Sequence, residues 1–159
     1  MQKKHGKGEV VVIYKFHNTV AAIIEKDRKF LMVEERTSGG IKINQPAGHL
    51  EAGESLVDAA IRETLEETGY LFSPQNFLGI YKWCDAQNHN IYIRYAFIGT
   101  VKDIPESENL DDGIIQTLWL YPAEVKNAPN HRSIMVKKCI KDYLCGVRYP
   151  LELIHELEK

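Results

Sequence analysis

The stretch GHLEAGESLVDAAIRETLEETGY, residues 48–70, decides how this chain is read. Ala59, Ala60 and Leu65 favour a helix, Gly53-Glu54-Ser55 supplies an entry and Gly69 stands where a helix ends, so the pattern predicts a helix over 55–68. On it, Glu63, Glu66 and Glu67 are spaced i, i+3, i+4 and share one arc. Val57, Ala60, Ile61, Thr64 and Thr68 define another arc, suited to packing on a sheet. Like charges four residues apart destabilise a helix by a few tenths of a kcal/mol, and the macrodipole disfavours acids near its C-terminus. Hard divalent cations resolve that conflict, because Mg²⁺ and Mn²⁺ take carboxylate oxygens and keep room for water and phosphate. A solvated acidic face is the plain alternative.

Outward from this helix the chain alternates β-prone runs with turns. Residues 18–25 and 30–35 predict a hairpin closed by the charged turn 26–29, and 41–45 a third strand stopped by Pro46. Runs 77–85 and 90–101 predict two more strands around a turn at 86–89, and 114–121 another. Pro122 opens a short helix. A second long helix is predicted over 132–145, with Val136, Cys139, Ile140, Tyr143, Leu144 and Val147 on one arc. Hairpins with inserted helices imply an α+β sandwich around a mixed sheet. Residues 1–13 read as a polar, mobile leader and 14–159 as one domain; the run 10–14 is β-prone without an assignable partner.

Composition narrows the function. With Lys+Arg 20 against Asp+Glu 22 the net charge is −2, unlike a general nucleic-acid binder. No apolar run approaches the ~18 residues a membrane span needs. Cys84, Cys139 and Cys145 show no metal or redox spacing, so they read as small packing residues in a reducing, cytoplasmic setting.

The chemistry-bearing spacing is Gly48, five residues, Glu54, seven residues, Arg62-Glu63, two residues, Glu66-Glu67, one residue, Gly69. Chance would produce it with probability on the order of 10⁻⁷ per chain. It resembles the Nudix box of the Nudix hydrolases, which cleave a nucleoside diphosphate linked to another group. Thr64 and Tyr70 stand where the family pattern asks for aliphatic residues, a departure that touches packing rather than chemistry. The resemblance implies an α/β/α sandwich. It implies a Gly48 carbonyl ligand, Glu66 and Glu67 as main metal ligands, and Glu63 as ligand or base for water. Arg62 and Glu54 would brace the loop and helix, and Mg²⁺, or Mn²⁺ in its place, would be the cofactor.

A narrower likeness, to a bacterial phosphatase branch of that family, runs from about residue 14 to 154. It rests on NQPAGHLEAGESLVDAAIRETLEETG, Tyr81-Lys82-Trp83 and HRSIMVKKCIKDYLCGVRYPLELI. This implies phosphate release from nucleoside tri- and diphosphates, and action on hydroxymethylpyrimidine pyrophosphate and thiamine pyrophosphate, by a monomer or homodimer. Selectivity for ADP-ribose or dinucleoside polyphosphates, or a non-catalytic nucleotide sensor, are the competing readings; retention of all three acids weighs against the sensor. For the base, Glu63 leads, with Glu106, Glu108, Asp111 and Asp112 of the acidic stretch as alternatives. Trp83 offers a flat ring for a nucleobase, Arg36 and Gln45 flank the metal loop as phosphate contacts, and Arg148 and Tyr149 would cap the pocket. His17 and His49 are expected to make ordinary hydrogen bonds, since hard cations prefer oxygen.

Overall fold

The computed structural model describes residues 3–5, 9–103 and 110–157. In chain order the elements are β1 (Lys3–His5), β2 (Glu9–Val11), β3 (Lys15–Lys26), β4 (Lys29–Thr37), β5 (Gly40–Asn44) and β6 (Ala47–His49). Then come α1 (Leu56–Thr68), β7 (Tyr70–Asp85), β8 (Asn90–Asp103), β9 (Ile114–Leu120), α2 (Pro122–Asn127), α3 (Ile134–Leu144) and a 3₁₀ turn, Leu151–Leu153. The β-prone run near residue 10 finds its partner in β1, which pairs β2 antiparallel.

The main sheet runs β5-β4-β3-β8-β7, with β6 added to β3 and β9 to β4. The predicted hairpin of β3 and β4 pairs at only two rungs, Glu25↔Phe30 and Lys26↔Lys29. Its turn residues Asp27 and Arg28 both have left-handed φ, 52° and 63°, as a tight two-residue hairpin turn requires. Beyond the turn the strands part. β3 lies parallel to β8 from Lys15↔Asn90 to Ile24↔Gly99, whereas β4 takes β5 and β9 as neighbours. β3 thereby joins two half-sheets.

β7 starts at Tyr70, earlier than the expected residue 77. Pro74 and Gly79 look like strand breakers in sequence, but both sit at register shifts of an edge strand, where proline's missing N–H and a local bulge are tolerated.

Alternation along the strands builds a core on each face of the sheet. Val20, Ala22, Ile24, Leu31 and Phe97 pack with Ala59 and Ala60 of α1. Ala21, Ile23, Phe30, Met32, Ala96 and Ile98 pack with Val125 of α2 and Val136, Cys139 and Ile140 of α3. The result is the expected α+β sandwich around a mixed sheet. On α3 the arc holds with one exception: Leu144, in the final turn past the core, is exposed, and Met135 is buried instead. Cys139 is buried as expected, while Cys84 and Cys145 are exposed. Among the described residues no helix is long and apolar enough to cross a membrane.

Candidate active site

α1 is held in place at both ends. Ser55 accepts from the Asp58 N–H at 2.9 Å, the Glu156 carboxylate accepts from the Leu56 N–H at 2.7 Å, and Gly69 closes the helix in the left-handed region. Its acids divide by environment: Glu63 and Glu67 are buried, whereas the Glu66 side chain is 41% exposed. Burial pushes the pKa of Glu63 up and that of Glu67 well up, because a desolvated carboxylate resists ionisation. The Ala47 N–H donates to Glu67 at 2.9 Å and partly offsets this.

Arg62 supplies a counter-charge to the crowd. Its guanidinium clasps Glu54 with two bonds, 3.0 and 2.7 Å, and reaches Glu63 at 2.8 Å, Glu66 at 2.9 Å and the His49 carbonyl at 3.0 Å. The hydrogen bond from Arg62 holds the Glu54 carboxyl below the usual range. Gly48, on β6 beside Val20, explains itself sterically: a Cβ there would lie 2.0 Å from the Glu63 carboxylate carbon. Only a bare Cα lets that carboxylate lie against β6.

One oxygen from each of Glu63, Glu66 and Asp111 lies within 4.8 Å of the other two. The Asp111 N–H also donates to the Glu66 carbonyl at 2.9 Å, tying that loop to α1. An all-oxygen donor set of this kind fits a hard divalent cation such as Mg²⁺ or Mn²⁺. Asp111, expected only as an alternative base, joins Glu63 and Glu66 in this triad, while Glu67 lines the same cleft outside it. Asp112 does not line the cleft, and Glu106 and Glu108 lie outside the described residues.

The cleft, about 740 Å³, extends from these acids over β6, β3 and β8 to β7. Its far wall is aromatic. Trp83 stacks on Tyr92 with centroids 5.4 Å apart, and Tyr92 on His17 at 4.7 Å. His17 in turn bonds Asn90 at 3.1 Å and His49 at 3.3 Å. Burial, followed by the charges of His17, Arg132 and Lys15, lowers the pKa of His49.

Four of the expected substrate residues stand elsewhere. Gln45 is fully buried, donating to the Val136 carbonyl at 2.9 Å and accepting from Arg94 at 3.0 Å, so it joins β8 to α3 and does not line the cleft. Arg36 is exposed and does not line the cleft; strand alternation gives that role to its neighbour Glu35. Arg148 donates to the carbonyls of Tyr143 and Val147 and lies over the Tyr143 ring, closing the C-terminus of α3. Tyr149 pairs its backbone with Phe77. Trp83 alone of the five lines the cleft.

The sequence reading passed over Arg94, Glu35, Asn44, Arg132 and Ser133, all on the cleft wall. Arg94 is the one with a detectable signal, a charged residue inside an otherwise apolar strand run. It is buried beside the amide oxygens of Gln45 and Asn44, 3.0 and 3.2 Å away.

The NUDIX domain family model matches residues 15–138. The phosphatase NudJ of Escherichia coli K12 is 41% identical over 142 residues, spanning 89% of this chain and 92% of that protein. A NUDIX hydrolase from Nitrosomonas europaea superposes with a TM-score of 0.85 at 46% identity, over 90% of this chain and 98% of that one. The MutT NUDIX hydrolase of Burkholderia pseudomallei, with a TM-score of 0.68 at 17% identity over 80% of this chain and 98% of its own, shares the fold.

Proposed function

The chain belongs to the Nudix hydrolases, enzymes acting on pyrophosphate bonds, and from that footing we propose a Mg²⁺-dependent phosphatase that releases orthophosphate from nucleoside tri- and diphosphates. Hydroxymethylpyrimidine pyrophosphate and thiamine pyrophosphate, which also join an aromatic ring to a pyrophosphate, are further candidates. The carrying observation is the layout of the cleft. The Glu63/Glu66/Asp111 triad lies at one end and the Trp83–Tyr92–His17 stack at the other. Between β6 and β7 lie three strand spacings, about 14 Å, the scale of a nucleotide from phosphate to base. The likeness to a protein named a phosphatase supports the choice of product.

Glu66 and Asp111 would hold the cation, with Gly48 and Glu67 beside them, and Glu63, the third acid of the cluster, serves as base. When bound, it neutralises phosphate oxygens and lowers the pKa of a water. Arg62 and the bare Cα of Gly48 keep the Glu63 carboxylate fixed for the attack, in which water oxygen bonds to phosphorus and the bridging P–O bond breaks. Glu63, held against β6 and hydrogen-bonded by Arg62, accepts the water's proton. Trp83, at the outer end of the stack, offers its free ring face to the base, and Tyr92 and His17 back it. Three unpaired cysteines fit a reducing cytoplasm.

A panel of nucleotides and thiamine-type pyrophosphates, incubated with Mg²⁺ and resolved by phosphorus NMR, tests this. Orthophosphate as first product is expected. Nucleoside monophosphate plus pyrophosphate would assign another selectivity, and no cleavage of any of them would overturn the reading.

A further inference from the structure

Among the described residues only two buried side-chain polar atoms lack a hydrogen-bond partner, Arg94 Nε and Ser133 Oγ. Both residues line the same cleft. They come from unrelated parts of the chain, β8 and the entry to α3, so their sharing one cleft is a property of the tertiary structure. Native interiors tolerate few orphaned polar groups, and each calls for a reason.

The immediate surroundings are rich in donors, with Glu35 and Glu67 the carboxylates that act on Arg94 from the same cleft. Ser133 has the extended backbone of an N-cap, yet its hydroxyl accepts no bond from the first turn of α3, and that turn carries no acid. The first hydrogen bond of the helix is Val136 N–H to the Ser133 carbonyl at 3.2 Å, which leaves the N–H groups of Ile134 and Met135 without a partner inside the helix. An eleven-residue helix thus begins at the cleft uncapped. Arg94, 4% exposed, holds its guanidinium against the amide oxygens of Gln45 and Asn44 and beside the Cys139 thiol, and makes no ion pair. Gln45 fixes the two halves relative to each other, since it accepts from Arg94 and donates to the Val136 carbonyl. Arg132 stands at the rim; its Nε, 3.5 Å from Glu35, and the Asn44 amide, at 3.4 Å, occupy the acid on this wall.

We propose that Arg94, Ser133 and the open N-terminus of α3 form an anion subsite, separate from the Glu63/Glu66/Asp111 triad, that takes a phosphate group of the nucleotide. Guanidinium, hydroxyl and helix amides all donate, and a phosphate offers only acceptors. The subsite depends on the nucleotide-hydrolase reading for the identity of its anion alone. It assigns Gln45 a positioning role.

Ser133→Ala and Ser133→Asp separate binding from architecture. Alanine removes the hydroxyl donor, whereas aspartate caps the helix and places a negative charge where the phosphate would sit. In the full-length protein with excess EDTA, pyrophosphate binding is followed by calorimetry. Binding by the wild type is expected, weakened about 10-fold by Ser133→Ala and about 100-fold by Ser133→Asp. With Mg²⁺, KM for a nucleoside triphosphate rises in the same order while kcat changes little. Thermal stability moves oppositely, unchanged or higher in Ser133→Asp; a purely structural serine would show that gain without any loss of affinity. Unaltered pyrophosphate affinity and KM in Ser133→Asp overturn the subsite, as does failure of the wild type to bind pyrophosphate. If the wild type hydrolyses no nucleotide but binds pyrophosphate in a Ser133-dependent way, the catalytic reading fails and the subsite stands.

Discussion

Replacing Gly48 by alanine adds one carbon in the place where the structure has least room for it. The new Cβ would lie 2.0 Å from both the carboxylate carbon and Oε2 of Glu63, and 2.2 Å from Oε1. Gly48 is not in the left-handed region, so the backbone of β6 accepts alanine and the yielding partner is the Glu63 side chain. Relief requires that carboxylate to swing off β6, away from the 2.8 Å bond with Arg62 and out of reach of Glu66 and Asp111. Loss of one charge-assisted bond to a partly exposed arginine, set against the lower unfolded-state entropy of alanine, leaves a net cost of about 1 kcal/mol. For a chain of this size that lowers Tm by about 2–4 °C. Displacing the base should reduce Mg²⁺-dependent phosphate release by about 100-fold or more. Calorimetric unfolding and single-turnover phosphate release, run on the same preparations, measure the two effects. A variant with turnover within about threefold of wild type would refute the steric argument and with it the role given to Glu63.

Glu67→Gln should cut Mg²⁺-dependent turnover severely while leaving the fold intact, because a neutral amide keeps an oxygen for the Ala47 N–H; near-normal turnover at saturating Mg²⁺ contradicts a role for that carboxylate in metal binding. Burial raises the pKa of Glu63 and Glu67 in the fold, so between 4.5 and their folded values the native state binds more protons than the unfolded one. Their stabilisation is complete below 4.5 and fades as pH rises through those values, so Tm in EDTA should fall with pH above 4.5, less steeply in Glu67→Gln, and divalent cation should reverse the slope. Glu54 acts in the opposite sense, its stabilisation being lost only as pH falls below 4.5. Arg62→Ala should lower both Tm and rate, since it releases Glu54, Glu63 and Glu66 together; loss of rate without loss of Tm would indicate direct phosphate contact instead. Trp83→Ala should raise KM about 10-fold for nucleotides but leave inorganic triphosphate unaffected, and equal effects on both would remove the base-stacking role.

Helix α1 is legible in the sequence, because its determinants are local. Ser55 and Gly69 cap it, and the i, i+3, i+4 spacing of Glu63, Glu66 and Glu67 places them near one another by helix geometry alone. That Arg62, one residue before Glu63, would face these acids follows from the same spacing, although its bidentate grip on Glu54 depends on how the preceding loop folds. The strands were legible as runs, but not their neighbours. Nothing in the alternation of 18–25 says that β3 pairs parallel with β8 and leaves β4 after two rungs. Gln45 and Arg36 were misplaced for this reason: proximity in sequence to the metal loop suggested proximity to substrate, while burial and strand facing decided otherwise.

The chain alone determined which acids share one face of α1, since a helix converts spacing into geometry within a few residues. Tertiary structure decided what surrounds them. Strand pairing across 73 residues sets His17 next to Asn90, and contacts across 49 and 91 residues bind Gln45 to Arg94 and to α3. Such distant meetings depend on the sum of packing over the whole sheet, and no local pattern encodes a sum.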